Sequence, residues 1–206
     1  MQDRHARPAH GRTRWRRFAA VTVPSVIVTG GIMFGMANGA IAASFAVSGD
    51  TFKVSADELK GNGFAQYGSV DHNAKSPMIP VAVAGINNAT SITNMCQSVK
   101  VPVLGVSVVL RAGTTQGKPA TATGLMFDLT SLKADTAVFG GLDIGRDAST
   151  LSKGGAGAKG AQGGFGQEAD SVTLTNVKQV AWSASAGTFT LPDLNLQVDP
   201  SGGECF

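Results

Sequence analysis

The chain has 206 residues, enough for one domain of ordinary size and an appendage. Its net charge of +3 divides unevenly: residues 1–17 hold six arginines against Asp3, whereas from Ser44 onward 11 Lys and Arg face 13 Asp and Glu. The basic balance thus belongs to the tail, which excludes nucleic acid as partner of the remainder, because phosphate neutralisation needs basic residues on the folded domain itself.

Residues 1–17 read as a basic cytoplasmic tail. No charged residue occurs from Phe18 to Gly49. Residues 18–43 exceed the roughly 20 apolar residues that cross a hydrocarbon core. They have no polar face, so they predict one N-terminal transmembrane or signal helix. The arginines before it place Ser44 onward outside the cytosol. Two fates stay open. Ala40 and Ala42 form a small-x-small cleavage motif, which would release the chain from Ala43. Gly31, Gly35 and Gly39 fall on one helix face, a spacing that lets two copies pack as a homo-oligomer in a membrane. The expected location is the cell membrane with an extracytoplasmic C-terminal domain, or the exterior if the leader is cut.

Residues 44–206 carry 22 glycines and ten aromatics, and Val, Thr, Ile and Ser fill the apolar stretches. This predicts an all-β exported domain with many turns. Phe45 and Val47, then "SGD", then Phe52 and Val54 read as strand, turn and strand. "SADELKG" (55–61) is the single candidate for a helical turn. "GNGFAQYG" (61–68) holds Phe64 and Tyr67, either an exposed contact patch or core packing. His72 follows in the polar loop "VDHNAKSP". Further strands are predicted at 79–86, 101–110, 142–144 and 191–198, with Trp182 as a core anchor.

Residues 154–166, "GGAGAKGAQGGFG", read as a flexible surface loop or linker. Gly155, Gly157 and Gly160 match a dinucleotide fingerprint in form only, because no strand precedes them and no helix follows. A weak repeat links Ile92-Thr93-Asn94-Met95, Leu129-Thr130-Ser131-Leu132 and Leu174-Thr175-Asn176-Val177. Units of about 40 residues would suit stacked β-hairpins or an irregular solenoid. A β-sandwich or barrel is the plain alternative.

Cys96 and Cys205 are an even count outside the cytosol, which predicts a disulfide closing a long loop and pinning Phe206. Their separation gives no zinc spacing, and no EF-hand spacing suggests calcium, so no metal or cofactor is expected. A serine hydrolase needs a base for the serine proton. His72 is the sole histidine outside the tail, and no Gly-x-Ser-x-Gly elbow occurs. Ser107 reads as a strand residue. Asp57, Glu58, Asp128, Asp135, Asp143, Asp147, Glu168 and Asp170 are candidate carboxylates by type alone. Ala-Asp recurs at 56–57, 134–135 and 169–170 as turn or strand-edge usage.

The stretches "RWRRFAAVTVPS", "ASFAVSGDTFKVSADELKGNGFAQYGSVD", "SITNMCQSV", "DLTSLKAD" and "NVKQVAWSASAGTFTLPDLNL" before "GECF" resemble a family of exported actinobacterial proteins without established function. Its members have sometimes been labelled cholesterol esterases. The resemblance implies an envelope location and brings no catalytic motif. The expectation is a non-catalytic binding or structural module for a protein, lipid or wall ligand. The alternative is a lipid or sterol ester hydrolase around His72.

Overall fold

The computed structural model describes residues 49–76 and 78–206. The basic tail, the helix expected at 18–43 with Gly31, Gly35, Gly39, Ala40 and Ala42, and the strand at Phe45–Val47 lie outside them. Eleven strands follow in order: β1 (Phe52–Asp71), β2 (Ile79–Thr93), β3 (Met95–Val101), β4 (Val106–Ala112), β5 (Ala120–Thr123), β6 (Leu125–Lys133), β7 (Thr136–Gly140), β8 (Asp143–Asp147), β9 (Phe165–Ser185), β10 (Thr188–Thr190) and β11 (Asn195–Asp199). A short 3₁₀ turn, Ala148–Thr150, precedes the glycine-rich stretch.

The domain is all-β, as its composition predicts. All eleven strands belong to one sheet, ordered β10-β5-β2-β6-β9-β1-β3-β4-β11, with β7 and β8 paired to β9. Since β1 also pairs β2, strands β1, β2, β6 and β9 close into a ring. A closed ring is the barrel form of the sandwich-or-barrel alternative rather than a stack of three units. Closure buries the inward side chains and removes sheet edges along the ring. The main core fills its interior with Val54, Leu59, Phe64, Ile86, Ile92, Met95, Leu125, Phe127, Val172, Leu174 and Val177, among others.

Residues 55–61 are strand, not a helical turn. Ala56 and Leu59 both enter the core, three residues apart, because side-chain alternation breaks at Asp57. Opposite that break stand Asn94 and Asn176, both in the left-handed region at φ 51° and 50°. Asparagine tolerates that conformation better than other side-chain-bearing residues. The strand expected at 101–110 is two strands, since Pro102 cannot donate to a ladder and Gly105 turns the chain at φ 68°. The strand expected at 191–198 begins only at Asn195, after a turn through Asp193 at φ 53°.

The apolar-Thr-polar-apolar motif marks a repeat, though of another period. Asn94 Nδ2 donates to Asp57 at 3.1 Å, and Asn176 Nδ2 donates to Asp135 at 2.7 Å. The two pairs are spaced 37 and 41 residues apart in sequence. Around each pair the register is the same: Glu58 opposes Thr93 as Thr136 opposes Thr175, and Leu59 opposes Ile92 as Ala137 opposes Leu174. On the other side Ser55 opposes Cys96 as Lys133 opposes Lys178. Val54 opposes Gln97 as Leu132 opposes Gln179. The domain therefore holds two matching halves, each an Ala-Asp strand against a Thr-Asn strand. Leu129–Leu132 is not a third copy, because it lies on the Ala-Asp side of the second half.

A second, smaller core lies around Ala65, Tyr67, Ile79, Val81, Val83, Ala148, Leu151 and Ala158. The glycine-rich stretch is its cover rather than a free loop. Tyr67 Oη donates to Gly157 O at 3.4 Å. At Gly160 an added Cβ would lie 2.7 Å from both Ala148 and the Tyr67 ring. Glycine is used here for close approach of backbone to sheet.

Candidate functional site

An apolar pocket of about 230 Å³ opens into the main core. Its depth is built from Leu59, Ile92, Met95, Leu125, Phe127 and Val177, all buried. Its mouth is built from Phe52 at the start of β1 and from Ala184, Ser185, Ala186 and Phe189 at the end of β9 and the start of β10. Phe189 is 42 % exposed and marks the solvent side. The size exceeds the roughly 150 Å³ of an apolar cavity that takes up benzene. At that occupancy it has room for about nine non-hydrogen atoms.

Besides Ser185 at the mouth, two glutamines interrupt the apolar lining, on strands that flank β1. Val54 of β1 opposes Gln97 of β3 on one side and Gln179 of β9 on the other. All three line the pocket. The glutamines are thus two strand spacings apart, about 9.5 Å. They hold the same register position in the two halves of the repeat. Gln179 is 3 % exposed, and among the described residues its Nε2 has no hydrogen-bond partner. A buried amide left unpaired costs about 1–3 kcal/mol. Among the described residues, no charged side chain lines this pocket.

Cys96 and Cys205 lie at disulfide distance, with Cα atoms 5.8 Å apart. Lys53 Nζ reaches Glu204 and Phe206 O, each at 2.9 Å, and stands over the Phe206 ring. The C-terminus is therefore held against β1. Beside it runs a polar cleft lined by Asp57, Asn94, Arg111, Asp135, Asn176 and Lys178.

Phe64 and Tyr67 do not form an exposed patch. They are 5 % and 7 % exposed and point into different cores, Phe64 stacking at 5.3 Å on Phe139. Trp182 packs, half-buried, against the second core. Ser107 is fully buried within β4. His72 follows the end of β1 at Asp71, and among the described residues no hydrogen bond joins it to a serine.

The candidate carboxylates have structural partners. Glu168 is buried, and burial works to raise its pKa. The Ser152 and Lys153 N–H groups, at 2.7 and 3.1 Å, and the charges of Arg146 and Lys153 outweigh this and hold it below the ordinary carboxylate range. Asp147 caps the 3₁₀ turn; N–H bonds from Ser149 and Gly163 and the Ser149 hydroxyl lower its pKa. Asp170 and Asp143 pair with Lys153 at 2.9 and 3.5 Å, and Glu58 pairs with Lys60 at 2.8 Å. Asp128 accepts from Ser183 Oγ.

Sequence reasoning did not single out Asp71. It is buried, with Oδ2 unpartnered among the described residues, and burial first, then the Asp128 charge, pushes its carboxyl up to about 6 against the lowering effect of His72. Burial, then Asp128 and Asp71, push Tyr67 up to about 12. Gln97 and Gln179 were also missed. The signal was present in Val177-Lys-Gln179-Val-Ala181, where a polar residue occupies the core-facing position of an alternating strand.

The described residues thus define an all-antiparallel β domain of two matching halves around an apolar pocket. The chain belongs to DUF6230, a family of unknown function whose model matches residues 48–206. No curated protein matches the chain, and no solved structure does.

Proposed function

We propose that this protein is a non-catalytic binding module of the cell envelope that holds an apolar ligand, or the apolar part of a lipid, inside its β ring. The pocket is the observation that carries this reading. Its deep wall is apolar, and an occupant would remove that surface from water. The lining offers water few partners, so an apolar occupant fits better than solvent. The envelope location and the membrane as a neighbour rest on the arginine-led apolar segment at 18–43. That segment either anchors the domain, with homo-oligomer contacts through Gly31, Gly35 and Gly39, or is cut after Ala42.

Calorimetric titration tests the reading. The full chain, held in a fluorinated surfactant, is titrated with isopropylbenzene. Saturable binding with a negative heat-capacity change is expected. Ala186→Phe, at the mouth, is expected to abolish it while leaving thermal unfolding in place. No saturable binding would overturn the proposal. Ester turnover by the wild-type chain, lost in His72→Ala, would overturn its non-catalytic part in favour of an ester hydrolase.

A further inference from the structure

Resting on that reading of the pocket, we propose that its ligand carries an uncharged oxygen acceptor, an ester, ketone or amide carbonyl, set against its apolar part, and that Gln179 binds this oxygen. Gln179 lines the pocket, is 3 % exposed and, among the described residues, leaves Nε2 without an acceptor. Nε2 is closed to solvent in the ligand-free fold, so the amide presents an N–H to an occupant by turning on its side chain. A purely hydrocarbon ligand would leave its two N–H donors unpaired, whereas a carbonyl oxygen would pair one of them. Gln97 stands across Val54 at the equivalent position of the other half. An amide is thus presented from each side of the same stretch of wall.

The charge of the ligand follows from what the lining lacks. Among the described residues, no Lys, Arg or His lines the pocket. A carboxylate or phosphate would be buried there without a counter-charge, which is strongly unfavourable. A free fatty acid anion is therefore the wrong ligand, and a neutral acyl compound is the right one. The pocket's room for about nine non-hydrogen atoms admits a short acyl or aryl group whole, or one end of a longer lipid.

The test uses two neutral probes of equal non-hydrogen atom count, acetophenone and isopropylbenzene, with benzoate as the charged control. On the full chain, Gln179→Met is expected to weaken acetophenone about tenfold and to leave isopropylbenzene unchanged or tighter. Benzoate is expected not to compete. Equal changes for both neutral probes would overturn the assignment to Gln179, and competition by benzoate would overturn the neutral class. Failure of both neutral probes to bind the wild-type chain would instead remove the pocket reading itself. An infrared measurement needs no variant. The carbonyl stretch of acetophenone bound to the wild-type chain is expected below its value in an alkane, and an unshifted band would overturn the hydrogen bond.

Discussion

Gln97 and Gln179 face each other across Val54, one on β3 and one on β9, at matching positions of an internal repeat. Two amides on an apolar wall are a poor choice for stability. Removing the unpaired Gln179 donor should therefore stabilise the ligand-free protein. Gln179→Met, of similar shape, is expected to raise unfolding stability by about 1 kcal/mol, read as a higher urea midpoint at constant slope. A stability gain with a loss of carbonyl binding is the pattern of a polar group kept for a ligand. A midpoint that falls would mean the amide is a structural bond.

Asp71 sets a pH dependence. Its carboxyl is pushed up to about 6 in the folded chain from an ordinary 3.8. The folded state binds this proton more tightly than the unfolded state. The contribution is then fully present below about pH 4 and is lost as pH rises through 6. Asp71→Asn removes it. The stability difference in favour of the variant is expected to grow from near zero at pH 4 to a plateau above about pH 6.5, measured by urea unfolding across that range. A difference that does not change with pH would contradict the placement of Asp71. Glu168, Asp147 and Asp199, all lowered, act in the opposite sense at more acid pH and cancel in the comparison.

The Cys96–Cys205 pair, 109 residues apart, should stabilise through the unfolded chain. Chain-entropy reasoning gives about 4–5 kcal/mol for so long a loop. Reduction is expected to lower the urea midpoint accordingly and to free the C-terminus, where Cys205 N donates to Ser98 Oγ at 3.0 Å. Equal midpoints with and without reductant, or two thiols alkylated without reductant, would contradict it.

Gly160 tests the cover over the second core. Gly160→Val places its side chain against Ala148 and Tyr67 and is expected to cost about 1–3 kcal/mol. Proteolysis should then cut within 154–164 faster than in the wild-type chain. An unchanged cleavage rate would show that the stretch does not lie on the sheet.

The β class, the residue types of the strands and the cysteine pairing were legible in the sequence. They depend on composition and count, which long-range contacts do not alter. The repeat was legible only in part. Ile92 to Met95 and Leu174 to Val177 repeat because a left-handed asparagine rephases the strand, so both ends enter the core. Leu129 to Leu132 shows the same letters without that backbone. The same break at Asp57 gives Ala56 and Leu59 a helix-like spacing, which explains the misplaced helical turn. The glycine-rich stretch carried no sign of its partner, because Tyr67 comes near it only through the pairing of β1 with β9, and Ala148 through that of β8 with β9. The pocket was hidden for a similar reason: its wall is assembled from strands as distant as β1 and β10.

Methyl resonances of ¹³C-labelled methionine offer the most direct test of the central claim. Met95 lines the pocket at 2 % exposure, Met126 packs against the second core and Met78 is exposed. Titration of the full chain with isopropylbenzene is expected to shift the Met95 methyl in a saturable way and to leave Met126 and Met78 in place. A Met95 resonance that stays still at saturating probe, or moves no more than the other two, would contradict an apolar ligand site inside the ring.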